Sequence, residues 1–116
     1  MMELKLPHKE PLKFAKYIIS KEDDTYTVRI QFDNIPTLAM LVEAAAQSSA
    51  AFAEGEDKMG FLVTLKNIKL LEKPASLEYN VEVTSGQQVD SLTYFTFKIY
   101  DEDTCIAEGI FIISLQ

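Results

Sequence analysis

The chain has 116 residues, of which 47% are hydrophobic, so we expect one domain spanning residues 1–116 with a packed core, and a disordered chain is excluded. Its formal net charge of −7 argues against nucleic acid as a partner, because binding to phosphates needs a basic surface. One cysteine, Cys105, excludes an intrachain disulfide, and no stretch reads as a signal peptide or a membrane span, so a cytoplasmic protein is expected.

The chain before residue 36 predicts a β-hairpin. Residues 25–32 (TYTVRIQF) alternate between apolar and polar side chains, which is the pattern of a strand with one buried face. Residues 14–20 form a candidate strand before it. The run between them, residues 21–24 (KEDD), is polar and rich in turn-forming residues, so it predicts the turn of the hairpin.

A long helix is predicted next, over residues 37–54 (TLAMLVEAAAQSSAAFAE). This run contains strong helix formers and neither Gly nor Pro. Thr37, which follows Pro36, can cap the start of the helix, and Gly55 stands where a helix would end. Small and apolar side chains occupy nearly the whole circumference of this helix, so we expect the helix to be enclosed by other structure.

Strand patterns return after Gly60. The first segment changes phase near Lys66 and Asn67, which predicts a bulge or bend within a long strand. Ser85-Gly86 and Asp90 are expected to bracket one turn, and residues 101–103 predict another. The four predicted strand segments are residues 61–71, 77–84, 92–100 and 105–115.

The order of elements is therefore strand, strand, long helix and four strands, which indicates an α+β fold. Only one sheet is available to bury the helix, so the sheet must curl around it, and a long central helix wrapped by a curved antiparallel sheet is the hotdog fold. An α+β roll of another topology is the alternative. The sheet keeps open edges, which pairing in a two-fold dimer would protect, so a homodimer is expected.

Glu43 is the first candidate for chemistry. It lies in the middle of the predicted helix among apolar residues, and a carboxylate there can act as a general acid or base. Gln47 follows four residues later on the same face and could orient the carboxylate or a substrate carbonyl. An ordinary solvent-facing stripe is the alternative, because Glu43, Gln47 and Glu54 also have the spacing of one.

His8 is the one histidine, in the sequence LPHKEPL, and histidine is the usual general base near neutral pH. A structural role is the alternative, because the residue lies between prolines near the start of the chain. One histidine and one cysteine far apart cannot form a metal site, and the sequence has no glycine-rich phosphate loop. Neither a metal nor a cofactor is therefore predicted.

The basic residues are unevenly distributed along the chain. Beyond Lys73, Lys98 is the only base, so an acidic partner would have to bind the first two-thirds of the sequence. Lys66, Lys69 and Lys73 are the candidates for such a docking surface. They could equally be lysines that keep a strand edge in solvent.

Three short segments have the order and spacing of a known family. They are residues 6–12 (LPHKEPL), Ile35-Pro36 with residues 43–47 (EAAAQ), and residues 60–63 (GFLV) ahead of a long strand. Together they resemble the 3-hydroxyacyl-ACP dehydratases of the hotdog superfamily, and most closely the divergent dehydratase-like proteins of aryl-polyene pathways. The strand order also agrees, so the resemblance covers most of the chain.

The resemblance implies a homodimer that binds an acyl thioester of acyl-carrier protein or coenzyme A in a tunnel at its interface. It matches Glu43 to the family's catalytic acid. The histidine of the family's H-F-P-G loop is absent, because residues 31–34 read QFDN. Either His8, Asp33 or Asn34 replaces it, or the protein no longer dehydrates. The residues expected to contact substrate are Gln47, Asn34, Pro36, Thr37, Gly60 and Phe61.

Three hypotheses follow. The first is a dehydratase-like or thioesterase-like enzyme acting on acyl thioesters, with Glu43 as acid or base and backbone N–H groups at the helix start polarising the thioester carbonyl. The second is a non-catalytic protein that binds an acyl chain, or the inactive partner of an active dehydratase. The third is a structural dimer with a closed interior and no tunnel.

Overall fold

The computed structural model describes residues 2–4, 12–53 and 60–115, which form a helix packed on an antiparallel sheet. The helix α1 spans Leu38–Ser48 and continues as a 3₁₀-helix over Ser49–Ala53. The predicted order of elements is confirmed, with one short strand added at the start. The strands are β1 (Met2–Glu3), β2 (Ala15–Glu22), β3 (Thr25–Gln31), β4 (Gly60–Leu70), β5 (Glu78–Val89), β6 (Leu92–Asp101) and β7 (Thr104–Leu115).

Within the described residues, the strands form a single curved sheet in the order β1-β2-β3-β5-β6-β7-β4. Every neighbouring pair is antiparallel. The strand that follows the helix, β4, therefore lies beside the last strand of the chain rather than beside its neighbours in sequence. This order leaves β1 and β4 at the two edges of the sheet.

The three tight hairpins have two-residue loops, and the first residue of each loop has a positive φ. These residues are Asp23, Asp90 and Glu102, with φ angles of 52°, 54° and 54°. A positive φ at this position matches the right-handed twist of the flanking strands, and aspartate adopts it more readily than most side chains. The turn predicted at residues 21–24 is confirmed as the loop between β2 and β3.

Two strands contain bulges. In β4 the register against β7 shifts between Lys66 and Lys69, and Asn67 has a φ of 53° there, which confirms the predicted change of phase. In β5 the register against β6 shifts just after Ser85. Ser85 and Gly86 therefore lie within a strand rather than beside the turn predicted for them, because the bulge accommodates the extra residues and lets β5 continue.

The helix begins at the predicted cap and buries one side against the sheet. The Thr37 hydroxyl accepts a hydrogen bond from the Met40 N–H at 3.2 Å. On the side that faces the sheet, Leu41, Ala45 and Ser48 are fully buried. Their spacing of four and three residues places them on one face of α1, as burial against a single layer requires.

Within the described residues, the opposite side of α1 is the less buried one. Ala39 is exposed, and Glu43, Ala46 and Ala50 are half-buried. These four residues, spaced four, three and four apart, form what we call the open stripe. The expectation that other structure encloses the helix is confirmed on the side of the sheet, whereas among the described residues the open stripe is less deeply buried than the other faces of α1.

Aromatic side chains fill the space between α1 and the sheet. Phe52, on the 3₁₀-helix, packs against the rings of Tyr26 and Phe95 with centroid distances of 4.7 and 5.3 Å. A second pair, Phe14 and Phe32, packs at 4.9 Å beside the start of β2. These large rings bury much apolar area and hold the helix in place on the sheet.

Candidate functional site

Glu43 lies in the second turn of α1, on the open stripe, with its side chain half-buried. It is the only charged residue within Leu38–Ser48, and the other members of the stripe are alanines. Its Oε1 accepts a hydrogen bond from Gln47 Nε2 at 3.4 Å. A half-buried carboxylate among alanines is placed to exchange protons with a bound molecule.

Gln47, one helical turn later, is buried, with 4% of its surface exposed. Its Oε1 accepts hydrogen bonds from the N–H groups of Phe14 and Ala15, at 2.8 and 3.1 Å. Its Nε2 donates to the Leu12 carbonyl at 2.8 Å. The alternative in which Gln47 belongs to a solvent-facing stripe is therefore excluded, and Glu54 lies outside the described residues.

The start of α1 brings together three of the residues expected to contact substrate. Asn34 is exposed, Pro36 is buried, and Thr37 is exposed and caps the helix. The first intrahelical hydrogen bond runs from Leu41 N–H to the Thr37 carbonyl at 3.0 Å. The N–H groups of Leu38 and Ala39 precede it and have no acceptor within the helix. They lie roughly 6 to 7.5 Å from Glu43 along the helix axis, at about 1.5 Å per residue.

The other predicted site residues are only partly described. His8 and the whole LPHKEP segment lie outside the described residues. Gly60 and Phe61 form the start of β4, where their backbone pairs with Leu115 and Ser114 of β7. The structure therefore brings Gln47 to Glu43 and places the cap residues one to two turns away, while Gly60 and Phe61 lie on the sheet edge.

β4 forms an apolar edge that no described strand covers. Leu62 and Leu65 pair with the core residues Ile113 and Phe111, so they face the helix side of the sheet, yet they stay 42% and 45% exposed. Val63, at the first register shift of the strand, is 53% exposed. An exposed apolar edge of this length is a surface on which another strand can pair.

Two surface depressions lie away from Glu43 and have charged or polar walls. One, of about 450 Å³, is formed around the β2–β3 hairpin and includes Glu22, Asp23 and Asp24. The other, of about 390 Å³, lies at the opposite end of the sheet and includes Lys73 and Asp101. Neither is lined by residues of α1, and acidic walls do not suit an apolar chain.

The basic residues proposed for docking do not form a free cationic surface. Lys69 lies directly opposite Glu108 in the β4–β7 register. Lys73 lines a depression together with Glu72, Asp101 and Glu102. Lys66 stands apart from these acids, with its ammonium 5.8 Å from the centre of the Tyr94 ring. Acidic neighbours thus offset two of the three lysines, which favours the alternative of a solvated strand edge.

One part of the site had no signal in the sequence. The backbone of residues 12–15, just before and at the start of β2, contacts the Gln47 amide and so lies beside Glu43. Leu12 is 64% exposed there. Because these contacts use backbone atoms, no side-chain pattern could have indicated them, and the buried glutamine was the only available hint.

No family model and no curated protein matches the sequence. Solved structures do match. The dehydratase heterocomplex ApeI:P from Xenorhabdus doucetiae superimposes with a TM-score of 0.78 over 96% of this chain and 88% of that chain, at 14% identity. A hypothetical thioesterase from Streptococcus pneumoniae, solved with coenzyme A, matches with a TM-score of 0.67 over 86% of this chain and 84% of that chain, at 14% identity.

The chain has the hotdog fold. A thioesterase from Haemophilus influenzae has the same architecture, with a TM-score of 0.66 over 85% of this chain and 76% of that chain, again at 14% identity. Identities this low make the similarity one of fold. Within this hotdog fold, Glu43 lies on the open stripe of the central helix. In the described ranges, no helix has the length and apolar run needed to cross a bilayer.

Proposed function

We propose that this protein processes acyl thioesters, carried by acyl-carrier protein or coenzyme A, with Glu43 as the general acid or base. The observation that supports this best is the placement of Glu43. Its carboxylate is half-buried on a stripe of alanines, where a thioester chain can lie, and a buried amide contacts one of its oxygens. The fold shared with dehydratases and thioesterases supports the same reaction class.

Two reactions are compatible with one carboxylate in this position. In dehydration of a 3-hydroxyacyl thioester, a base removes the proton at C2 and an acid protonates the departing C3 hydroxyl, which leaves as water. In hydrolysis, Glu43 takes a proton from water, whose oxygen attacks the thioester carbonyl and displaces the thiol. Dehydration calls for a second proton-transfer group, for which His8 and Asp33 are the candidates, whereas Asn34 could only donate a hydrogen bond to the departing hydroxyl.

The remaining substrate contacts are proposed at the helix start and at the start of β4. The N–H groups of Leu38 and Ala39 would polarise the thioester carbonyl, since the first turn of a helix concentrates unsatisfied donors. Asn34, Pro36 and Thr37 would border the carbonyl. Gly60 and Phe61 would line the acyl chain, and Gln47 would orient Glu43.

We further propose that the working unit is a homodimer formed along β4. A second copy paired with this edge would cover Leu62, Val63 and Leu65, which one chain leaves 42%, 53% and 45% exposed. It would also supply the missing layer beside the open stripe. The tunnel for an acyl chain would then lie between the two copies.

The test is turnover of a panel of 3-hydroxyacyl and saturated acyl thioesters by the wild type and by Glu43→Gln. Enoyl-thioester absorbance reports dehydration, and released thiol reports hydrolysis. Loss of a general acid or base is expected to lower kcat by about 10²- to 10⁴-fold. Glu22→Gln, at an exposed position in β2, is the matched control and should retain full activity. Equal turnover by Glu43→Gln and wild type would contradict the assignment.

A second function is favoured by the residues that precede the helix. Where the resembled family has a histidine, this chain has exposed Asp33 and Asn34. A protein without that histidine could bind an acyl chain without converting it, or serve as the inactive partner of an active dehydratase. A raised melting temperature with acyl thioesters, without turnover of any of them, would support this function over the first.

A further inference from the structure

Three polar residues are deeply buried in the part of the chain that the structure describes, and one of them lacks a hydrogen bond. The Gln47 amide bonds the backbone of residues 12–15, and the Ser48 hydroxyl donates to the Ala44 carbonyl at 2.8 Å. Thr93, in β6, is 8% exposed, and its hydroxyl makes no hydrogen bond to any described residue. An unpaired buried hydroxyl destabilises the folded state, and a bound molecule that pairs with it removes that cost.

Thr93 lies in a row of side chains that crosses the helix side of the sheet. It pairs with Ile113 of β7, and Ile113 pairs with Leu62 on the β4 edge. Leu62 is about 10 Å from Thr93 across the sheet, at about 4.8 Å between neighbouring strands. Exposure increases toward the edge, because Phe111 is fully buried, Ile113 is 6% exposed and Leu62 is 42% exposed. A ligand that enters at the β4 edge therefore meets this row.

The row is far from Glu43. Phe52, on the 3₁₀-helix, lies roughly 15 Å from Glu43 along the helix axis, at about 1.5 Å per residue in α1 and about 2 Å per residue in the 3₁₀-helix. The Phe52 ring packs against Phe95 at a centroid distance of 5.3 Å. Thr93 comes two residues before Phe95 on the same face of β6, which is about 7 Å along the strand. Only a long chain can contact both the Glu43 carboxylate and the Thr93 hydroxyl.

We propose that the Thr93 hydroxyl hydrogen-bonds a polar group at the far end of the acyl chain. The substrates are then long acyl thioesters that end in a hydroxyl or carbonyl group rather than in a methyl group. This inference rests on the proposed function, and it adds the chemistry of the chain's end. Gly60 and Phe61, proposed to line the chain, directly precede Leu62 of the same row. A hydroxyl both donates and accepts, so Thr93 can pair with either kind of end group.

The unpaired state of the hydroxyl is tested first, without any ligand. Thr93→Val keeps the shape of the side chain and removes the hydroxyl. We expect its melting temperature to rise by about 4 °C or more, because a buried unpaired group is lost. Thr96→Val, at an exposed position of the same strand, is the matched control and should stay within about 2 °C of the wild type. A melting temperature of Thr93→Val at or below that of the wild type, or its failure to fold, would overturn the proposal.

The ligand is tested by calorimetric titration with ω-hydroxydodecanoate and dodecanoate, which differ only in the terminal hydroxyl. In Thr93→Val the Kd of the hydroxy acid, divided by the Kd of the plain acid, should rise about 10-fold or more over the wild-type ratio, because the ligand's hydroxyl is then buried without a partner. Thr93→Ser, which keeps a hydroxyl, and Thr96→Val should both keep the wild-type ratio. An unchanged ratio in Thr93→Val, or no binding of either acid to the wild type, would contradict the assignment.

The outcomes separate this proposal from the proposed function, since free acids test binding without chemistry. Turnover of thioesters together with an unchanged ratio would uphold the proposed function and overturn the role of Thr93. A shifted ratio in a protein that converts no thioester would uphold the Thr93 site and overturn the catalytic function.

Discussion

At the scale of single residues, helical spacing and burial gave different kinds of information. The interval of four between Glu43 and Gln47 predicts that they are neighbours on one face, and the 3.4 Å contact confirms that proximity. Spacing could not show that one member of the pair is half-buried and the other nearly inaccessible. Gln47 is nearly inaccessible because residues 12–15, distant in sequence, cover it.

Tyr100 provides a prediction about pH at the same scale. Burial first, and then the charges of Glu82 and Cys105, raise the pKa of the Tyr100 hydroxyl above its ordinary value. The folded state thus holds this proton more tightly than the unfolded chain does. Its contribution to stability is complete below the unfolded pKa of about 10 and is lost as the pH rises through the higher folded value.

We therefore expect Tyr100→Phe to lose less stability than the wild type when the pH is raised from about 9 to about 11. Urea unfolding at a series of pH values measures this difference. In a spectrophotometric titration of the five tyrosines, the same variant should lose one ionisation, at a pH above the ordinary tyrosine value of about 10. Tyr17→Phe, at an exposed position, is the control. Parallel stability curves for Tyr100→Phe and wild type would refute the prediction.

At the scale of elements, the sequence indicates where strands change phase but not how closely they pack. Gly109, in β7, is an example of close packing between strands that the sequence does not indicate. A Cβ at this position would meet Ile68 Cδ1 and would lie 3.0 and 3.1 Å from two atoms of the Phe97 ring. Ile68 is in the bulged half of β4 and Phe97 is in β6, so both strands that flank β7 press on this one glycine.

We expect Gly109→Ala to lower the free energy of unfolding by about 1–3 kcal/mol, the usual cost of overpacking a well-filled site. Urea denaturation measures the change. Gly86→Ala is the comparison, because its new methyl group would approach the Tyr94 carbonyl oxygen at 3.1 Å on an exposed, bulged part of β5. It should cost less than Gly109→Ala. A loss at Gly109 no larger than that at Gly86 would show that β4 and β6 can move apart.

At the scale of the whole molecule, two uncovered surfaces belong to one chain. Among the described residues, the open stripe of α1 is half-buried or exposed, and β4 has no neighbour on its outer edge. Apolar edges of this kind are usually protected by charge, by Pro or by pairing. Lysines are present at Lys66 and Lys69, but Leu62, Val63 and Leu65 precede them without any charge. The proposed pairing with a second copy would cover both surfaces.

We predict that the wild type sediments at about twice its monomer mass of 13.1 kDa and that Leu65→Lys sediments as a monomer. The charge would lie on the helix side of the sheet beside the paired edge, where the second copy would desolvate it, and this disfavours pairing. Leu77→Lys is the matched control, since Leu77 is also 45% exposed but precedes β5. Analytical ultracentrifugation distinguishes the forms. A monomeric wild type would contradict the dimer, and an unchanged Leu65→Lys would place the interface elsewhere.

The sequence by itself determined the class of fold, the order of its elements and the site of the central carboxylate. It could do so because the alternation of residues 25–32, the helical run after Thr37 and the phase change at Asn67 are local patterns, set by backbone geometry within one element. Only the tertiary structure decided that residues 12–15 bury Gln47, that one side of α1 is less buried than the other, and that β4 forms an apolar edge. These features depend on contacts between segments far apart in the chain, and the spacing of apolar residues within one element does not indicate such contacts.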